Sequence, residues 1–111
     1  MKVDFRLYKN GNIVINENNL AYSKKDDRIL FELGDDYFSI LIDNDNFELS
    51  KENSENIFVV KNNESSLYLK ENDLMIPIMV ELFEYYKESN KYTIKYQLET
   101  DDEQTTIEII L

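Results

Sequence analysis

The stretch PIMVELFEYYKESNKYTIKYQLE, residues 77–99, decides the fold, because it reads either as a helix followed by a strand or as one long β-hairpin. As a helix starting at Pro77 it stacks Ile78, Met79, Leu82, Phe83 and Tyr86 on one stripe. Glu81, Glu84, Lys87 and Glu88 then lie outside, with Asn90 as a C-terminal cap. As a strand it gathers Leu74, Ile76, Ile78, Val80 and Leu82 on one face and Met75, Pro77, Met79, Glu81 and Phe83 on the other. Residues 77–88 fit both periods. The segment that follows fits only one, since Tyr92, Ile94, Tyr96 and Leu98 alternate with Thr93, Lys95, Gln97 and Glu99. On the hairpin reading, Ile78, Val80 and Leu82 share the core face with Ile94, Tyr96 and Leu98, while Glu81, Lys95 and Gln97 lie outside.

Away from this stretch the signals are all of the strand type. Asn10-Gly11 separates VDFRLY from NIVIN, and both residues tolerate the positive φ of a tight hairpin turn. In LAYSKKDDRILFEL the polar span from Lys24 to Arg28 breaks two short β-type runs, and GDD then leads into YFSILID. FELS, NIFVVK and SLYLK follow, separated by Asn-rich breaks, and TTIEIIL closes the chain. Short strands spaced by polar turns are the pattern of a β-sandwich or a β-barrel.

The order of these elements breaks the tie at residues 77–88. The two-faced strands, YKESNKY as a hairpin connection, YTIKYQLE, the acidic turn TDDEQ and the closing TTIEIIL resemble the C-terminal half of the YwiB-like calycin family. These are small bacterial β-barrels, lipocalin-like in shape, whose biological role is unassigned. In that family a strand carrying a proline leads into a strand to which Tyr96, Gln97, Leu98 and Glu99 correspond here, and LAYSKKDDRILFEL followed by YFSILID resembles its early strands. The resemblance runs over residues 18–111. It implies strand for residues 77–88 and an all-β fold, an antiparallel closed or nearly closed barrel of about eight strands, wide enough for its own side chains or one small ligand.

A chain of 111 residues with 42% hydrophobic content is one domain, 1–111, able to bury a core without staples. Its 12 basic and 23 acidic residues leave a net charge of −11, which repels phosphate backbones and anionic lipid and argues against a direct nucleic-acid or membrane partner. MKVDFRLYKNG has early charges and no apolar run, so neither a signal peptide nor a membrane span is expected, and the default location is cytoplasmic. Abundant Asn, Lys, Glu and Ile suggest an AT-rich bacterial genome.

Chemistry narrows by elimination. Without His or Cys there is no imidazole base, thiolate nucleophile or zinc site, and two glycines make no phosphate-binding loop. No catalytic residue, metal or cofactor is expected. DNDNFE, Asp43 to Glu48, begins like a calcium loop but has Phe47 at its fifth position and no glycine at its sixth, so it reads as a hairpin turn. Asp101, Asp102 and Glu103 read as a solvated turn, and Arg6 and Arg28 as exposed, the alternative being that one of them caps the barrel by pairing with a carboxylate. The aromatic residues Tyr68, Tyr92, Tyr96, Phe38, Phe47 and Phe58 lie on predicted strands, where they serve core packing or line a cavity. The ligand-binding candidates are Tyr68, Tyr92 and Tyr96. The leading expectation is a non-enzymatic barrel binding a small apolar or amphipathic molecule. The alternative is an acidic protein-interaction module that meets a basic partner, with nucleic-acid mimicry as one form of it.

Overall fold

Asn10 and Gly11 take φ values of 50° and 79°, the left-handed pair that a two-residue primed turn requires. They join β1 (Lys2–Lys9) to β2 (Asn12–Ala21) with Lys9 opposite Asn12. Asp26 and Asp27, at 51° and 67°, do the same between β3 (Ser23–Lys25) and β4 (Arg28–Leu33). Gly34-Asp35 turns β4 into β5 (Asp36–Ile42), which pairs with β6 (Phe47–Glu52). β7 (Asn56–Lys61) and β8 (Glu64–Leu69) meet at Asn62-Asn63, and β9 (Leu74–Glu88) and β10 (Lys91–Leu98) meet at Ser89-Asn90. β11 (Thr105–Ile110) ends the series.

The computed structural model describes residues 1–43 and 46–111, and no helical residue is among them. None of its segments is a helix long and apolar enough to cross a membrane. The hairpin turn expected within Asp43 to Glu48 falls partly on Asn44 and Asp45, outside the described residues. Every described ladder is antiparallel, so the all-β expectation holds, but the strands among the described residues number eleven rather than about eight. The count taken from the resemblance was too low because each alternating run forms a strand of its own. Even Ser23–Lys25 does so, since the Asp26-Asp27 turn folds it back on β4.

The hydrogen-bonded order is β2-β1-β11-β10-β9-β8-β7-β6-β5-β4-β3. The chain divides into two compact units, residues 1–21 with 80–111, and residues 22–79. β9 belongs to both, pairing with β8 through Leu74–Met79 and with β10 from Val80 onward.

In the first unit, direct cross-strand neighbours share a face and build rows across the ladders. Phe5, Ile109 and Tyr92 form one, Leu7, Ile107, Ile94 and Tyr85 the next, and Lys9, Thr105, Tyr96 and Phe83 a third. Val3, Phe5, Ile94, Ile107 and Ile109 are at most 1% exposed and form its centre. The β9–β10 hairpin is as expected, with one correction of face. Val80 stands opposite Leu98 and Leu82 opposite Gln97, so Glu81 is an extra residue, a β-bulge. Beyond it the alternation changes phase: Phe83 and Tyr85, not Leu82, continue the face of Tyr96 and Ile94. Glu81 is exposed, and Lys95 and Gln97 are half-buried.

Candidate functional site

In the second unit the register lays out two long rows on one face. Ile29, Ile40, Leu49, Val60, Ser65 and Ile78 make the first, and Phe31, Phe38, Lys51, Phe58, Leu67 and Ile76 the second. At the β4–β6 end this face is a packed core: Ile40 is fully buried, and the Phe31 and Phe38 rings stack with centroids 5.1 Å apart. Toward β9 the same apolar face opens. Phe58, Leu67, Leu69 and Ile78 are half-buried, Ile76 is 37% exposed and Leu74, opposite Leu69, is 49% exposed.

Two polar groups stand on this face without a partner. Ser65 is 8% exposed, and its Oγ is buried with no hydrogen bond. Native proteins rarely leave such a group unpaired without a functional reason or a missing guest molecule, because the desolvation cost is on the order of 1–3 kcal/mol. Lys51, directly opposite both Phe38 and Phe58, is half-buried and forms no ion pair among the described residues, unlike Lys9, Lys70 and Lys91. The face thus combines apolar surface with a hydroxyl and an ammonium that have no partner among the described residues.

The three tyrosines singled out from sequence fall elsewhere. Tyr68 lies on the opposite face of the sheet from Ser65 and Leu67, in line with Ile57 and Met75, and its hydroxyl donates to Asp73. Tyr92 and Tyr96 share one face of β10 in the first unit. Tyr92 is half-buried, with Lys87 Nζ 5.3 Å from its ring centroid, a cation–π contact. Tyr96 is buried, next to Thr105. Alternation counted outward from Leu49 and Leu67 reaches Lys51 and Ser65 two residues on, so their facing was readable. Their lack of partners was not.

The Tyr96 row ends in a polar cluster. Lys9 Nζ donates to Thr105 Oγ1 at 2.7 Å and lies 3.3 Å from Asp101 Oδ2. Asp101 is held below the usual carboxylate range, first by the backbone N–H of Glu103 and then, against some desolvation, by Lys9. Burial pushes the Tyr96 hydroxyl up to about 12, although a hydrogen bond from Thr105 offsets part of this. The consequence for stability has a definite sign. An unfolded tyrosine ionises near pH 10 while the folded one resists until about 12, so the unfolded state binds fewer protons and stability falls as pH rises through that window. Relative to Tyr96→Phe, the native protein is expected to lose roughly 2–3 kcal/mol between pH 10 and 12, with a constant difference below pH 10, as read from urea midpoints.

A separate cleft of about 370 Å³ lies between the Gly34-Asp35 turn, Tyr37, Asn53, Ser54 and Lys70. Asn53 pins it, accepting from the N–H groups of Glu55 and Asn56 and donating to Asp36 at 3.1 Å, while Lys70 is spent on Glu52 at 2.7 Å. Asn53, Lys70 and Glu52 are thus engaged within the protein. Arg28, expected to be exposed, is only partly so and pairs with Glu48 at 3.1 Å; Arg6 is half-buried and donates to Asn16. Among the described residues no group of three acidic side chains is placed to hold a metal ion. Comparison with protein-family models, curated proteins and solved structures found no match.

Proposed function

We propose that this protein is a non-enzymatic binding domain for a small amphipathic molecule, with its apolar body along Phe58, Leu67, Leu69, Ile76 and Ile78 and its polar head at Ser65 and Lys51. The observation that carries this is the buried, unpartnered Ser65 hydroxyl on an apolar face that opens toward β9. A guest that accepts from or donates to Ser65 Oγ removes the cost of the orphaned group, and its chain covers surface that water now wets. Lys51 favours an anionic head, such as a carboxylate, by direct contact within a chain otherwise rich in negative charge. The absence of His and Cys supports binding rather than catalysis. We also propose kinship with the calycin barrels, supported by the neighbour-to-neighbour antiparallel order and by the hairpin at residues 77–99.

The test uses a saturated long-chain carboxylate and its uncharged methyl ester as probes, with the melting temperature as readout, because a ligand held only by the native state raises it. The carboxylate is expected to raise it more than the ester. Lys51→Gln should abolish that difference. Ser65→Ala should reduce the rise with both probes while leaving the ligand-free protein as stable as before or up to about 1 kcal/mol more stable, since it deletes an unsatisfied group. No rise with either probe would sink the reading.

A further inference from the structure

The face of the second unit opposite Ser65 carries a largely exposed aromatic side chain. Tyr37 stands between Glu32 and Glu52 across β4, β5 and β6 and is 58% exposed, while Phe38 and Lys51 beside them lie on the Ser65 face. Tyr37 lines the cleft of about 370 Å³, a volume in the range of small-molecule sites. Hydrogen bonds tie three turns together around it. The Asn53 amide donates to Asp36, next to the Gly34-Asp35 turn, and its side-chain carbonyl accepts from Glu55 and Asn56 within the β6–β7 turn. Lys70, at the end of β8, donates its backbone N–H to the Glu55 carbonyl at 3.0 Å and its ammonium to Glu52. A cleft whose walls are fixed in this way loses little to ordering when a ligand enters.

The lining groups narrow the class of that ligand. Asp35 and Glu52 contribute carboxylates, and Lys70 an ammonium already 2.7 Å from Glu52. An anion would meet the two carboxylates, and a cation would meet Lys70. An apolar molecule would take water from Asp35, Ser54 and Asn53 without replacing its hydrogen bonds. A neutral molecule dense in groups that both donate and accept meets none of these costs. Asp35 and Ser54, whose side chains make no hydrogen bond among the described residues, offer it an acceptor and a hydroxyl. A sugar ring also matches Tyr37, because its hydroxyls lie around the rim and leave a face of C–H groups to pack on the electron-rich face of an aromatic ring.

We propose that this cleft binds a neutral saccharide, with one sugar ring packed on Tyr37 and its hydroxyls bonded to Asp35, Ser54 and the Lys70 ammonium. Tyr37 lies on the opposite face from Ser65, and the proposal does not depend on the amphipathic-ligand reading. The test follows the backbone amide signals of the isotope-labelled protein by NMR. Glucose, galactose, mannose, N-acetylglucosamine, cellobiose and maltose are the probes, with glycerol, arginine and glutamate as controls. At least one sugar is expected to give saturable shifts centred on Gly34, Asp35, Asn53 and Ser54, and none of the controls to saturate. Tyr37→Ala should weaken that binding by about tenfold or more. Tyr37→Phe should bind nearly as the native protein does, because packing needs the ring and not its hydroxyl. Ser65→Ala should bind the sugar unchanged. Saturation of the same amides by arginine or glutamate would show that charge selects the ligand and overturn the proposal. Binding unaffected by Tyr37→Ala, saturable shifts centred elsewhere, or no saturation with any of the six sugars would overturn it equally.

Discussion

Deleting Lys95 is expected to unfold the protein, whereas deleting Glu81 leaves it folded. Lys95 sits in the middle of β10, opposite Glu84 on one side and Thr106 on the other, so β10 is locked by two ladders. Removing one residue there shifts the phase of everything on one side of the gap. Either Tyr96 and Leu98 or Tyr92 and Ile94 leave the core face, and Ile94, which is fully buried, trades places with a polar neighbour. Neither neighbouring strand carries a compensating gap opposite Lys95. Glu81 is different because it is the surplus residue of the bulge. Without it Val80 still meets Leu98, Leu82 still meets Gln97 and Phe83 still meets Tyr96, in a regular alternation. The expected cost is more than about 4 kcal/mol for the Lys95 deletion and about 1 kcal/mol for the Glu81 deletion, judged from urea midpoints. Equal costs would refute the bulge assignment.

The bulge also explains why residues 77–88 look helical in sequence. Before Glu81 the core-facing residues are even-numbered, Ile78 and Val80, and after it they are odd-numbered, Phe83 and Tyr85. The slip brings Ile78 and Phe83, five residues apart, onto the same face, and the apolar Met79, Leu82 and Tyr86 of the opposite face complete the spacing 78, 79, 82, 83 and 86, which is the stripe of an amphipathic helix. The hairpin itself was legible because Tyr92 to Glu99 never changes phase. The face of Leu82 was misread because a single uninterrupted alternation was carried across the slip. At the candidate site the limit was of another kind. Aromatic residues drew the eye to Tyr68, Tyr92 and Tyr96, but whether a strand aromatic packs, stacks or faces out depends on neighbours distant in sequence. Ser65 is an ordinary serine until Val60 and Ile78 are placed on either side of it.

Phe47 and Phe58 lie on the same face of the second unit, yet their truncation is expected to act on different properties. Phe47 is fully buried at the start of β6, where its backbone N–H donates to Asn62 Oδ1 and its carbonyl accepts from the Asn62 N–H, each at 3.0 Å. These bonds hold β6 against the β7–β8 turn and leave the ring no freedom to follow a shrinking neighbour. Phe47→Ala therefore opens a cavity that cannot collapse, with an expected cost of about 3–5 kcal/mol. Phe58 lies farther along the face, between Lys51 and Leu67, where burial is already incomplete. Its ring loses part of its contact with water only, so Phe58→Ala should cost no more than about 1–2 kcal/mol, in keeping with partial burial. If the open end of the face is a receptor, that variant should nevertheless lose most of the melting-temperature rise given by the long-chain carboxylate. Phe47→Ala, folded at low temperature, should keep it. A Phe58→Ala protein that is strongly destabilised would mean that the face is closed core along its whole length, with no room for a guest.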